Sequence, residues 1–148
     1  MLVDMGSGSM RNFERSGASI DDLEAILLTH LHVDHSVDLP ALVKASYFTR
    51  RDTELPLYGP GGNDLMPGTR EFVQALFGPA GAYRYLSDYL DGSESWRLSV
   101  HEIEVSSSEE GIAMGSDGLK IIYVPVHHGP IPALAWKVEL SGKRLVFS

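Results

Sequence analysis

Short apolar runs separated by turn residues dominate the first half of the chain. Residues 25–29 form an apolar run without alternation, which predicts a short strand covered on both faces. Residues 1–4 and 55–58 are shorter runs of the same kind, and glycines follow each of them. Apolar residues recur at helical spacing in 37–48. This half of the chain therefore predicts strands that alternate with helices.

The second half begins with two more helical patterns and continues with strands. Thr69 is a candidate cap for one helix, and the apolar spacing within 85–90 predicts a second helix. After Gly92 the apolar period changes to two, and 106–111 reads as a polar turn. The predicted strands are 96–105 (with an irregularity), 119–126, 133–140 and 144–147. A mixed α/β (α+β) fold class without an internal linker follows from this order.

Composition and charge narrow the class of protein. With 148 residues, of which 43% are hydrophobic and 22% charged, the chain is typical of one globular domain. No apolar stretch is long enough for a membrane span, so no membrane is expected as a partner. The absence of cysteine and of a visible signal peptide predicts a cytoplasmic protein without disulfides. A net charge of −8 lacks the basic field that nucleic acid normally requires, so nucleic acid is not expected as a partner either.

The densest group of chemically active residues is Thr29-His-Leu-His-Val-Asp-His35, directly after the strand predicted at 25–29. In extended backbone, His30 and His32 point to the same side and can bind one metal ion. Asp34 and His35 can face a second ion, or a water on the first, once the chain turns. A polar surface turn is the alternative, but the density of ligand types favours a metal site.

A second histidine pair, His127 and His128, ends the strand predicted at 119–126 and is followed by Gly129. Adjacent strand residues point in opposite directions, so one of the two is expected to bind the same ion as the first motif. Such a histidine would complete a three-histidine site with an open position for water. The other histidine would support a ligand or lie on the surface.

The order of these landmarks resembles the metallo-β-lactamase superfamily. The matching segments are Leu2-Val-Asp4 with its glycine turn, the HxHxDH motif of 30–35, and Val124-Pro-Val-His-His-Gly129. Leu57-Tyr-Gly-Pro-Gly61 and the His-Gly-Pro stretch are most similar to the ribonuclease Z and arylsulfatase-like branch. The resemblance implies a partial αββα sandwich, with residues 1–148 as a single domain that is incomplete at its N- and C-terminus.

The resemblance also implies roles for the histidines. Ligands of the family's first metal ion match His30, His32 and His128, with His127 as the alternative to His128. Zinc is the expected cofactor, as one or two ions, although histidines and carboxylates also suit iron or manganese.

The remaining site residues match other positions of the family's motif. Asp34 and His35 match two ligands of the second metal ion, and Asp4 matches a structural acid near the metal loop. Asp34 is also the expected catalytic residue, which orients the water or takes its proton, with a purely ligating role as the alternative. The family's bridging aspartate and its final histidine have no counterpart in the sequence.

These residues predict a metal-dependent hydrolase, and the resemblance implies that a metal-bound hydroxide attacks a phosphodiester, ester or sulfate ester of a small-molecule substrate. One alternative is a catalytically incompetent metal-binding fragment whose site another chain completes. Another is RNA processing like that of ribonuclease Z. The apolar strands expected at 1–3 and 145–147 would lack family neighbours, which predicts a homo-oligomer.

Overall fold

The computed structural model describes residues 1–116 and 118–148. These residues contain two four-stranded sheets. Sheet A is parallel and contains, in order, β1 (Leu2–Val3), β2 (Ile26–Leu27), β3 (Leu55–Pro60) and β4 (Leu98–Ile103). Sheet B is antiparallel and contains β5 (Gly111–Ser116), β6 (Leu119–His128), β7 (Ile131–Leu140) and β8 (Lys143–Phe147). The chain therefore completes one sheet before it starts the other.

Helices connect the parallel strands of sheet A. The α-helices are α1 (Ser9–Arg15), α2 (Val33–Ser36), α3 (Leu39–Ala45), α4 (Thr69–Phe77) and α5 (Asp88–Asp91). Single 3-10 turns lie at Ile20–Asp22, Ser46–Phe48 and Arg84–Leu86. Parallel neighbours need such crossovers because a tight turn can join only antiparallel strands.

Two apolar cores define three layers. The first core lies between the helices and sheet A, and its fully buried members include Leu28, Leu42 and Phe77. The second core lies between the two sheets, where Leu27 of sheet A packs with Trp136 of sheet B. These layers confirm the α/β fold class and the partial αββα sandwich.

Strand β2 is shorter than the predicted 25–29 because its end turns towards sheet B. The N–H of Leu28 still donates to the carbonyl of Tyr58 in sheet A, at 2.8 Å. The carbonyl of Thr29 instead accepts from the N–H of Leu134 in β7, also at 2.8 Å. The indole N–H of Trp136 donates to the Leu28 carbonyl at 3.1 Å. Leu28 and Thr29 thus connect the two sheets, immediately before the histidine motif in the sequence.

Other boundaries differ from the sequence prediction in ways that local pattern explains. Strand β5 was not predicted, since two glycines and a serine dilute its apolar residues and its pairing with β6 shifts register between Ile112 and Met114. The helix predicted at 37–48 is α3 followed by a 3-10 turn. The helix predicted at 85–90 is likewise a 3-10 turn and the short α5. The irregularity expected in 96–105 is absent from β4, whose pairing with β3 is continuous.

Strands β1 and β8 lie at the edges of their sheets, as their apolar ends suggested. The homo-oligomer inferred from them stays a prediction. Among the helices in the described part of the chain, none has the length and apolar character of a membrane-crossing segment.

Candidate metal centre

Three histidines from distant parts of the chain meet at one edge of the two sheets. One ring nitrogen from each of His30, His32 and His128 lies within 4.8 Å of the other two. His30 and His32 follow β2 of sheet A, whereas His128 is the last residue of β6 in sheet B. The site is therefore assembled between the sheets, at the position where α/β proteins commonly place ligands.

The two histidines of the first motif converge by a route other than extended alternation. Residues 30–32 are outside the regular strand β2, and His32 is the N-cap of α2. The ring centroid of His30 lies 4.8 Å from that of His32 and 4.7 Å from that of His128. His30 is buried, His32 is half-buried and His128 is exposed, so the site has a closed inner side and an open outer side.

The environment of His30 keeps its imidazole neutral. The pKa of His30 is lowered from its ordinary 6.5 to about 4, chiefly by burial and further by the positive charge that His35, His128 and His32 carry when protonated, against a raising effect of Asp4. Since a metal ligand must present a free lone pair, a histidine that is neutral at physiological pH suits this role.

A hydrogen-bonded network behind the site orients two of its rings. The Asp4 carboxylate accepts from the Thr29 N–H at 2.7 Å, from the Thr29 hydroxyl at 2.8 Å and from Nδ1 of His35 at 2.8 Å. The hydroxyl proton of Thr29 is used by Asp4, so its oxygen can accept from Nδ1–H of His30 at 3.1 Å. Both rings then carry their proton on Nδ1 and leave Nε2 free as a donor atom for a ligand.

Thr29 is the residue of this network that the sequence prediction missed as a site residue. Its only signal in the sequence is its place directly before the first histidine of the motif. Asp4, expected to be structural, does lie beside the metal loop, and its backbone has φ of +57°. That left-handed conformation is uncommon for a residue with a side chain and points to a local constraint.

His35 and Asp34 lie next to the three-histidine group in different ways. The His35 ring is half-buried, with its centroid 4.0 Å from that of His30. The Asp34 side chain is 76% exposed, and its Oδ2 lies 3.7 Å from Nε2 of His35. Of the two residues expected to face a second ion, His35 thus lies against His30 and Asp34 lies further out, at the solvent edge.

The structure separates the adjacent histidines of β6. His128 joins His30 and His32, whereas His127 is exposed and paired in register with Pro132. Alternation along the strand accounts for this difference. His127 and His128 both line an open groove beside the turn, together with Glu104.

A glycine after β1 lets the chain pass close to the metal loop. A Cβ on Gly6 would lie 1.9 Å from the carbonyl oxygen of Asp34, so only glycine fits without displacement. Next to it, the N–H of Met5 donates to the His35 carbonyl at 2.7 Å, and the Met5 carbonyl accepts from the N–H of Asp38 at 2.7 Å. These bonds fix α2, which carries Asp34 and His35, against the end of β1.

Helices on one face of a two-sheet sandwich, with histidines from both sheets at one edge, define the class of fold found in metallo-β-lactamases. The sequence matches the model of the Beta-lactamase superfamily domain over residues 1–148. The chain belongs to this superfamily.

Within the superfamily, the sequence is similar to ribonuclease Z proteins. A ribonuclease Z of Mycobacterium sp. (strain KMS) is 33% identical over 153 residues, covering 99% of this chain and 50% of that protein. A ribonuclease Z of Mycobacterium bovis (strain BCG / Pasteur 1173P2) is 32% identical over 154 residues, covering 99% and 51%. This chain thus spans about half the length of the curated relatives it matches. The resemblance to the superfamily and its ribonuclease Z branch is confirmed.

Solved structures agree on the fold. The short form of human tRNase Z matches with a TM-score of 0.68 and 19% identity, covering 97% of this chain and 55% of that one. The metallo-β-lactamase fold protein YhfI from Bacillus subtilis matches with a TM-score of 0.60 and 18% identity, covering 97% and 48%.

The expectation that nucleic acid is not a partner is wrong, because the relatives aligned over nearly the whole chain are ribonucleases by name. Net charge sums over the whole surface and does not describe the field at one site. A bound divalent cation also adds local positive charge that the sequence count does not include.

Proposed function

We propose that the protein is a metal-dependent hydrolase that acts on phosphodiester bonds in RNA. The observation that carries this proposal is the meeting of His30, His32 and His128 at the junction of the sheets, in a chain whose relatives are ribonuclease Z proteins. A phosphodiester is also among the substrates that the resemblance to the superfamily implied. The ribonuclease Z relatives support RNA as the substrate among these.

The donor set fits a divalent ion with catalytic coordination. Three imidazole nitrogens with an open, solvent-facing side are the arrangement of zinc sites that keep one position for water or substrate. Zinc is the proposed ion, with iron or manganese as chemically acceptable substitutes. Such an ion supplies Lewis-acid chemistry at the phosphate and lowers the pKa of water that it binds.

The residues behind the ligands hold the protons in place. Nδ1 of His30 is hydrogen-bonded to Thr29, which in turn donates to Asp4, and Nδ1 of His35 is hydrogen-bonded to Asp4 directly. The Nε2 atoms of both rings are therefore left free to bind a metal ion. We propose that His35 Nε2 and the Asp34 carboxylate contribute to a second metal position. The supporting distances are 4.0 Å between the rings of His30 and His35 and 3.7 Å between His35 Nε2 and Asp34 Oδ2.

Asp34 is the proposed catalytic acid–base. Its carboxylate is exposed beside the cluster, where it can accept a proton from water or hold that water by a hydrogen bond. A purely ligating role would leave the same geometry. The two roles differ in that a proton acceptor shapes the pH profile of turnover.

The test combines metal content with turnover. Protein purified without chelator is assayed for bound zinc, then for hydrolysis of bis-p-nitrophenyl phosphate and of a structured RNA, before and after chelation. We expect zinc-dependent turnover that His30→Ala abolishes and that the exposed neighbour variant His127→Ala retains. Turnover that survives both chelation and His30→Ala would contradict the proposal.

One observation favours a second candidate, a metal-binding protein without turnover of its own. Within residues 1–116 and 118–148, the three histidines are the one group of ligands close enough to share an ion, and Asp34 lies outside it. Stoichiometric zinc with no hydrolysis of either substrate would support this candidate. Salt-sensitive RNA binding by the zinc form would still assign an RNA partner. The cytoplasmic location and the single domain over 1–148 stay predictions.

A further inference from the structure

The loop of residues 61–68, which follows β3, reaches across to sheet B through one side chain. The Asn63 amide donates from Nδ2 to the carbonyl of Pro130 at 2.8 Å, between residues 67 positions apart. Its Oδ1 accepts from the N–H groups of Leu65 at 3.0 Å and Met66 at 2.9 Å. Asn63 thus shapes its own loop and holds the turn between β6 and β7.

The chemistry of the neighbours determines which way this amide points. Leu65 and Met66 present N–H donors and need the amide oxygen, whereas Pro130 presents a carbonyl and needs the amide NH₂. Rotation of the amide by 180° would set donors against donors and one acceptor against another. Three hydrogen bonds therefore depend on a single orientation of Asn63.

The loop that carries Asn63 is fixed to sheet A. The N–H of Gly61 donates to the Ile103 carbonyl in β4 at 2.7 Å, and the N–H of Asn63 donates to the Met66 carbonyl at 2.9 Å. At the other end of the loop, the N–H of Arg70 donates to the carboxylate of Glu102 at 2.8 Å. Asn63 is thereby held on sheet A while its side chain binds sheet B.

The turn that Asn63 binds carries the third histidine of the candidate metal centre. His128 pairs with Ile131, and Gly129 and Pro130 form the two-residue turn between them. Gly129 has φ of +59°, as the first central residue of a type II′ hairpin turn requires, and Pro130 fits the negative φ of the second. A hydrogen bond to Pro130 therefore acts two residues from His128, through a short and constrained piece of backbone.

The other two histidines have their own connection between the sheets. The Thr29 carbonyl, directly before His30, accepts from Leu134 in β7 at 2.8 Å. The Asn63 bond lies nearer the tip of the same hairpin, at Pro130. The two bonds hold the β6–β7 hairpin against sheet A at two points, one at Pro130 and one at Leu134.

We propose that Asn63 is a positioning residue, which fixes His128 at the distance from His30 and His32 that metal binding requires. The inference rests on the proposed metal site. It assigns a function to a loop that contributes no ligand, and it predicts that metal affinity depends on a side chain outside the histidine motifs.

The experiment measures zinc affinity of the full 148-residue chain by competition with a chromophoric chelator. Asn63→Ser keeps a neutral oxygen for the loop N–H groups but is too short to reach Pro130. Asn63→Ala removes all three side-chain bonds. We expect both variants to weaken zinc binding about three- to tenfold, as loss of one hydrogen bond predicts. We also expect the metal-free forms of both variants to stay folded, with a lower thermal unfolding midpoint in Asn63→Ala than in Asn63→Ser, and the ligand-field absorption of their Co²⁺ forms to change.

A matched control removes a similar bond elsewhere. Asp91→Ala deletes an exposed side chain at the end of α5. Its Oδ1 accepts from the N–H of Ser93, just after the helix, at 2.9 Å. This variant is expected to bind zinc as wild type does. Wild-type zinc affinity in both Asn63 variants would overturn the inference, and so would weakening in Asn63→Ala without weakening in Asn63→Ser. Absence of zinc binding by the wild-type chain would instead overturn the proposed function.

Discussion

The carboxylate of Asp4 lies 2.8 Å from Nδ1 of His35, although the two residues are 31 positions apart in the sequence. The same carboxylate accepts both the backbone and the hydroxyl proton of Thr29. One acid at the end of β1 thus orients the His35 ring directly and the His30 ring through Thr29.

Asp4→Asn tests this arrangement. Substitution by the amide replaces one acceptor oxygen with a donor, so at least one of the three donors loses its partner. We expect the free energy of unfolding to fall by about 1–3 kcal/mol and the zinc affinity to fall about 10–100-fold. Urea unfolding and chelator competition measure the two effects. Asp22→Asn, on an exposed acid of the first 3-10 turn, is the control and is expected to change neither quantity.

The adjacent histidines of β6 allow a paired test of the ligand assignment. His128→Ala removes a member of the three-histidine group, and we expect it to weaken zinc binding about 100-fold or more, beyond the loss typical of a supporting residue. His127→Ala alters the exposed neighbour that points away, and its zinc affinity should stay at the wild-type value. Equal losses in the two variants, measured by chelator competition, would contradict the assignment.

The lowered pKa of His30 predicts an acid-dependent loss of stability in the metal-free protein. The folded chain takes up the His30 proton only near pH 4, whereas the unfolded chain takes it up near 6.5. Because the unfolded state binds more protons in this window, stability decreases as the pH falls from 6.5 to about 4 and levels off below it. Urea unfolding at several pH values should give a shallower dependence for His30→Gln than for wild type. A dependence equal in His30→Gln and in the control His127→Gln would refute the prediction.

Gly6→Ala tests the close approach between the end of β1 and the metal loop. The new methyl group would overlap the Asp34 carbonyl oxygen at 1.9 Å, so the loop must move. We expect a loss of about 1–3 kcal/mol in the free energy of unfolding, as for an overpacked site, together with weaker zinc binding. Gly115→Ala meets no atom within 4 Å and serves as the matched control, with a change within about 0.5 kcal/mol. Chemical denaturation compares the two.

The sequence allows prediction of the ligands better than of what holds them. His30, His32 and His128 are recognisable because imidazoles at strand ends have few other uses in such density. Thr29 and Asn63 have no comparable signal, since their bonds depend on how sheet A meets sheet B. The short β2 has the same origin, because Thr29 bonds to β7 and not to its neighbour in sheet A.

The missed strand β5 illustrates a different limit. Its residues have weak strand preference, and pairing with the long β6 determines their conformation. Whole-chain charge failed for a related reason, since it averages over residues that never approach the site. Local strand preference and whole-chain net charge both fail here, because specific contacts determine the conformation of β5 and the charge at the site.

The assembly of the site from both sheets has a thermodynamic consequence. A ligand held by His30, His32 and His128 together binds only while the sheets are packed against each other. Its binding free energy is then added to that of the interface in which Leu27 packs with Trp136. The free energy that holds the two sheets together therefore increases with the free concentration of that ligand.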